Sequence, residues 1–156
     1  MSGVSLTYTL DDHPLLRRLS AYEQLDMEPV FDSIGRYLVD ETEWRFKNSV
    51  GPEGEPWKPS QRVLAHRQSK KYRKEPIDER PLIHHSILMT SITYRASHDK
   101  VEQGSGEKYA AIHQFGGYAG KNLAAHIDAR PFIGVNDADR DEIGAICADY
   151  LKRLAE

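Results

Sequence analysis

Cysteine is almost missing from this 156-residue chain, where Cys147 stands alone. One thiol forms no internal disulfide and builds no cysteine-based zinc site. Long apolar runs are missing too, and none approaches the roughly 20 residues that a bilayer-spanning helix needs. Residues 1–10 carry no basic start and no extended apolar stretch, so no secretory leader is expected, and the expected compartment is a reducing cytoplasm. Neither charge sign dominates. The 21 Lys and Arg oppose 24 Asp and Glu, a net −3 that gives no whole-chain reason to expect nucleic acid or an acidic membrane as main partner. With 11 Gly and 8 Pro, the chain is neither collagen-like nor low-complexity. A hydrophobic share of 39% allows one lean core, which points to polar loops or to surface buried only in an assembly.

Catalytic signatures are missing as well. No Gly-x-Ser-x-Gly elbow, phosphate-binding loop or dinucleotide fingerprint occurs. His13, His66, His84, His85, His98, His113 and His126 are scattered, with no His-x-x-x-His pair, and adjacent His84 and His85 face opposite ways on a strand. Cys147 falls on the core face of a predicted helix, a poor place for a thiolate. Glu41, Glu43, Asp137, Asp139, Asp141 and Glu142 fall on predicted helix surfaces or caps, where solvation explains them. No metal, cofactor or catalytic residue is expected. A small hydrolase stays an alternative, and it requires a pocket holding two groups with perturbed pKa values.

What is present reads as alternating elements. Val4, Leu6, Tyr8 and Leu10 alternate with polar residues, which predicts a half-buried strand. Asp11 and Asp12 offer an N-cap to a helix carrying Pro14, Leu15, Leu16, Leu19 and Tyr22. A second helix is predicted over 29–48, with Phe31, Ile34, Leu38, Thr42 and Phe46 as its stripe. Gly35 interrupts it, marking a weak point or a close contact, and Arg45 and Lys47 suit the dipole at its end. Residues 51–60 are turn chemistry around Trp57, which counts among the candidate subunit-contact residues. Residues 91–98 predict a strand, Asp99 and Lys100 a turn, and 101–104 its partner. Residues 109–115 predict a short helix stopped by Gly116 and Gly117, 118–125 a loop, and 127–135 an extended edge with Pro131. Asn136 caps the last helix, Asp139 completes a weakened capping box, and Ile143, Ile146, Cys147, Tyr150, Leu151 and Leu154 form its stripe. The expected fold is α+β: a single domain over 1–156, with a small, mainly antiparallel sheet packed against N-terminal helices and a C-terminal amphipathic helix.

Residues 58–74 hold seven cations and no acid: Lys58, Arg62, Arg67, Lys70, Lys71, Arg73 and Lys74. They read either as part of a solvated, partly helical, mobile loop over 58–79 or as a patch for an acidic partner or DNA. Two uncharged segments remain. One is Tyr109, His113 and Phe115 closing on Gly116 and Gly117, and the other is Arg130, Pro131 and Phe132. They read as internal packing or as a subunit contact, with Phe115 and Phe132 as apolar anchors and Arg130 as a pairing group.

These segments carry a likeness. Arg45-Phe46, Gly51-Pro52-Glu53-Gly54-Glu55-Pro56-Trp57, residues 109–117, Ala129-Arg130-Pro131-Phe132-Ile133-Gly134, and then Asp139-Arg140 with Glu142-Ile143 resemble the phage virion-morphogenesis family. That family comprises tail-completion or neck proteins of contractile-tailed phages such as Mu, and of prophages. The likeness spans about 30–154. At Leu82-Ile83-His84-His85-Ser86 the chain departs from the Asp-Thr-Gly-like turn of many relatives. The resemblance implies an α+β fold and no catalytic residues. It implies a self-associating ring subunit, with a hexamer as the expected ring, that meets tail-tube, tail-terminator or head-connector proteins. Its place would be the bacterial host cytoplasm during assembly and the virion neck or tail end afterwards. A small nucleic-acid-binding module using 58–74 is the alternative; Tyr72 is its sole aromatic, which makes a thin stacking platform.

Overall fold

A computed structural model describes residues 3–9, 25–69 and 76–155. The helix expected around Pro14 and Leu19 lies outside the described residues. Strand β1 (Val4–Tyr8) buries Val4 and turns Ser5 and Thr7 to solvent, as its period of two requires. Helix α1 (Glu28–Asn48) starts with Pro29 in its first turn and ends at Ser49 in the left-handed region (φ 57°), whose N–H reaches the Phe46 carbonyl. The whole predicted stripe, Phe31, Ile34, Leu38, Thr42 and Phe46, is buried.

Strands β2 (Ile92–Ala96) and β3 (Val101–Ser105) form the expected hairpin, closed where the Ser97 N–H donates to the Lys100 carbonyl at 2.9 Å. β3 is the middle strand of a three-stranded antiparallel sheet, ordered β1-β3-β2, with Val4 and Ile92 both opposite Ser105. The inner face of the sheet lies on α1. There the Gln103 amide donates to the Leu38 carbonyl (2.8 Å) and the Thr42 hydroxyl (2.9 Å), so this buried polar group is satisfied. Gly35 marks a close contact: a side chain there would collide with the ring of Tyr94, whose hydroxyl donates to Asp32 at 2.7 Å.

The sheet and α1 divide the core into two clusters. Phe46, Trp57, Ile83, Leu88, Ile92, Phe132 and Ile133 fill one, and Val30, Phe31, Ile34, Leu38, Val101 and Cys147 the other. Helix α5 (Asp137–Ala155) closes the second cluster. Its capping box is complete. The Asp139 N–H donates to the Asn136 side chain at 2.8 Å, and the Asn136 N–H donates to the Asp139 carboxylate at 2.9 Å. The α+β architecture agrees with the sequence reading.

Several local readings need correction. Residues 118–125 are not a loop. β4 (Gly117–Ala119) and β5 (Ala125–Ile127) pair antiparallel across a 3-10 turn, Lys121–Leu123. Of the extended edge predicted over 127–135, Ile127 ends β5 and 128–135 form no strand. The Gln114 side chain takes the place of a neighbouring strand, accepting from the Phe132 and Ile133 N–H groups (3.0 and 3.1 Å) and donating to the Ile133 carbonyl (2.8 Å). Inside 58–79, helix α2 (Gln61–Gln68) forms with Ser60 as its cap, and α3 (Ile87–Thr90) precedes β2. At the departure from the family pattern, Ile83 enters the core while His84 and His85 stay outside with their rings 4.0 Å apart.

Candidate functional site

The expected contact segments converge on one unit built by helix α4 (Ala110–Phe115) and the β4–β5 hairpin. Gly116 stops α4 with φ 73°, and a Cβ there would sit 2.8 Å from the Ala129 nitrogen, so glycine is required by conformation and by space. Asn122 and Leu123 take left-handed conformations in the 3-10 turn (φ 57° and 56°). The result is an outward aromatic face. Phe115 is 72% exposed, Leu123 65% and Tyr118 64%, with Tyr109 at the margin. Tyr118 stacks edge-on against His126 (5.1 Å), its register partner, and Tyr109 against His113 (5.9 Å). Burial and the neighbouring Arg130 lower the pKa of His113, and its Nδ1 finds no partner among the described residues.

Beneath that face lie the residues assigned to its companion segment, and here the sequence reading changes. Phe132 is fully buried, 5.1 Å from Phe46, and Trp57 meets Phe46 edge-on at 5.5 Å while its indole N–H donates to the Pro131 carbonyl at 3.0 Å. They are core anchors, not surface anchors. Arg130 is buried as well. Its guanidinium donates to the carbonyls of Lys58 (2.9 Å), Pro59 (3.0 Å) and Asp128 (3.2 Å), so three of its five N–H groups fasten the hairpin base internally instead of standing out for an acid across a joint.

The described cations of the basic segment are engaged. Lys58 pairs with Asp128 at 3.2 Å, holding that carboxyl below its ordinary pKa. Arg62 donates to the Asp78 carbonyl at 2.7 Å, and Arg67 pairs with Glu79 at 2.5 Å. Lys70, Lys71, Arg73 and Lys74 lie outside the described residues.

Sequence reasoning missed one buried pair. Arg45, read as a dipole-complementing surface cation, and Asp139, read as a solvated cap, form an ion pair at 2.6 Å with both side chains 2% exposed. Arg45 also donates to the Gly134 carbonyl (2.7 Å), and the Tyr37 hydroxyl donates to Asp139 (2.9 Å). The available signal was position: Arg45 falls within the buried stripe between Thr42 and Phe46.

A groove of about 850 Å³ runs between β1, α1 and α5, lined mainly by apolar groups such as Phe31, Ile34, Val101 and Leu151. Its titratable lining is Tyr8, Cys147 and Arg140, and burial pushes both the Tyr8 hydroxyl and the Cys147 thiol toward their neutral forms. Among the described residues no carboxylate or imidazole lines it. Among the described residues no group of three or more His, Cys, Asp or Glu gathers to hold a metal, and no helix is long and apolar enough to cross a membrane.

Comparison with known proteins agrees with this picture of an assembly component. Residues 12–152 match the phage virion morphogenesis family. A relative from Haemophilus influenzae, Mu-like prophage FluMu G protein 2, is 40% identical over 74 residues, 47% of this chain and 54% of that protein. The match thus spans about half the length of the relative. No solved structure matches the chain. With the family match running from before α1 almost to the end of α5, the chain belongs to the phage virion morphogenesis family.

Proposed function

We propose that the protein is a non-enzymatic structural subunit that completes the phage tail or joins tail to head, working as one member of a ring. The supporting observation is the aromatic face of α4 and the β4–β5 hairpin. Phe115, Tyr118 and Leu123 are large, apolar and each more than three-fifths exposed on one short unit. Large exposed side chains gathered on one unit of a monomer mark an interaction surface, and aromatic anchors dominate interface energetics. The unit is also held firmly by Arg130 and Gln114 from below, so little ordering is needed on docking. Cyclic rings need a heterologous contact, in which one patch meets a different patch on the next copy. Tail-tube, terminator or head-connector proteins would take the remaining surface.

The test is genetic. A phage lacking the gene is expected to leave DNA-filled heads and finished tails unjoined, or tails with a faulty end, in electron micrographs. Phe115→Asp is expected to give the same particles while the purified variant keeps its circular dichroism spectrum. A deletion phage that yields complete infectious particles overturns the reading and promotes the nucleic-acid alternative, whose own signature is DNA binding that falls steeply with salt.

A further inference from the structure

A heterologous contact needs a second surface, and charge points to where it lies. Lys108 and Lys121 edge the aromatic face, with exposed His126 beside Tyr118 and with Glu107 bonded to the Tyr109 hydroxyl at the margin. The neighbouring Lys58 joins the hairpin base through its pair with Asp128 and through its carbonyl, which accepts from Arg130.

Elsewhere on the described surface one large aromatic is out of place. Trp44 is 53% exposed on α1. Asp40 and Glu41 lie four and three residues before it, on the same face of the helix, while Lys47, three residues after it, is paired with Glu43 at 3.1 Å. α5 adds to this strip: Glu41 and Glu142 both act on Tyr37, one of the causes, after burial and its bond to Asp139, that raise the pKa of its hydroxyl. A half-exposed indole flanked by carboxylates complements a cluster of aromatics flanked by lysines.

We propose that the aromatic hairpin face of one copy docks on the acid-flanked Trp44 face of the next copy. Trp44 packs against Phe115, Tyr118 and Leu123, and Lys108 and Lys121 face Asp40 and Glu41. The assignment rests on the ring reading above and names its missing half. The contact is head-to-tail, so an open chain of copies keeps one unused face of each kind, one at each end, until the ring closes. Its attraction weakens as salt rises.

The experiment uses sedimentation velocity on the full chain. Wild type is expected to self-associate as concentration rises. Phe115→Asp/Lys121→Glu removes the first face and Trp44→Ala/Glu41→Lys the second, and each variant alone is expected to associate at least about tenfold more weakly. Mixed in equal amounts, the two variants are expected to form a 1:1 dimer and stop there, because each still carries one intact face. All these side chains are exposed or half-buried, and circular dichroism checks that both variants fold. If wild type associates and the Trp44→Ala/Glu41→Lys variant associates equally well, this pairing is wrong and the ring reading survives. If both variants are weakened but their mixture stays monomeric, the contact is not head-to-tail between these faces. If wild type stays monomeric at the highest attainable concentration and its copies do not cross-link within assembled particles, self-association itself fails, and the pairing fails with it.

Discussion

The Arg45 guanidinium and the Asp139 carboxylate meet at 2.6 Å in the interior, joining the last turn of α1 to the first turn of α5. The Gly134 carbonyl bonds to Arg45, and the Tyr37 hydroxyl and the Asn136 N–H donate to Asp139. Such a pair is expensive to break because the surviving charge is left buried and alone. Arg45→Met and Asp139→Leu are each expected to lower unfolding stability by about 3–5 kcal/mol, and the double variant by less than the two losses together. Urea denaturation of the three proteins measures this.

Cys147 is 9% exposed, and burial raises the pKa of its thiol. A thiol reagent is expected to label it slowly in native protein and rapidly in denaturant. Cys147→Ser is expected to destabilise by about 1–3 kcal/mol, since it places a hydroxyl among apolar neighbours. Native labelling as fast as that of the unfolded chain would show that this side of α5 opens readily.

At Gly35 two effects oppose each other. Alanine is the better helix former by about 1 kcal/mol, yet its methyl group would collide with the Tyr94 ring. Packing wins, because the ring is held in place by its bond to Asp32. Gly35→Ala is expected to destabilise by about 1–3 kcal/mol. In a Tyr94→Ala background the same change is expected to become neutral or stabilising.

Arg80 holds the Asp78 carboxyl at a pKa of about 2, below the ordinary 3.8, chiefly by side-chain hydrogen bonds. A carboxyl depressed on folding adds stability above its unfolded pKa and loses it as pH falls through the folded one. Asp78 is one-third exposed, so the contribution is under about 1 kcal/mol. Asp78→Asn is expected to be slightly less stable than wild type at pH 6, with the difference vanishing below about pH 2.

Local grammar carried much of the fold. The α1 stripe, the β2–β3 hairpin around Asp99 and Lys100, and the Asn136–Asp139 cap all depend on residues within a turn or two of each other. The β4–β5 hairpin escaped because its strands are three residues long and its turn uses Leu123, a residue with no preference for positive φ. Residues 128–135 have the composition of a strand, yet a glutamine from α4 occupies the position a neighbouring strand would need. The site was half legible. Phe115 and Tyr109 belong to its surface, whereas Phe132, Arg130 and Trp57 look the same in sequence and point inward. What separates them is contact with chain some 70 or more residues away, such as Trp57 with Pro131 and Arg130 with Pro59, and no local pattern encodes that.

The three carbonyls gripped by Arg130 have a mechanical meaning. Lys58 and Pro59 precede α2, while Asp128 ends the descent from β5, so one planar cation rivets together two stretches of backbone that the chain itself connects only through a long detour. A pull applied to Phe115 or Tyr118 does not peel the hairpin away strand by strand. It is shared at once with the segment leading into α2 and, through Pro131 and Trp57, with the aromatic packing around Phe46. Rupture at that point requires the three bonds of Arg130 to give way together instead of one after another.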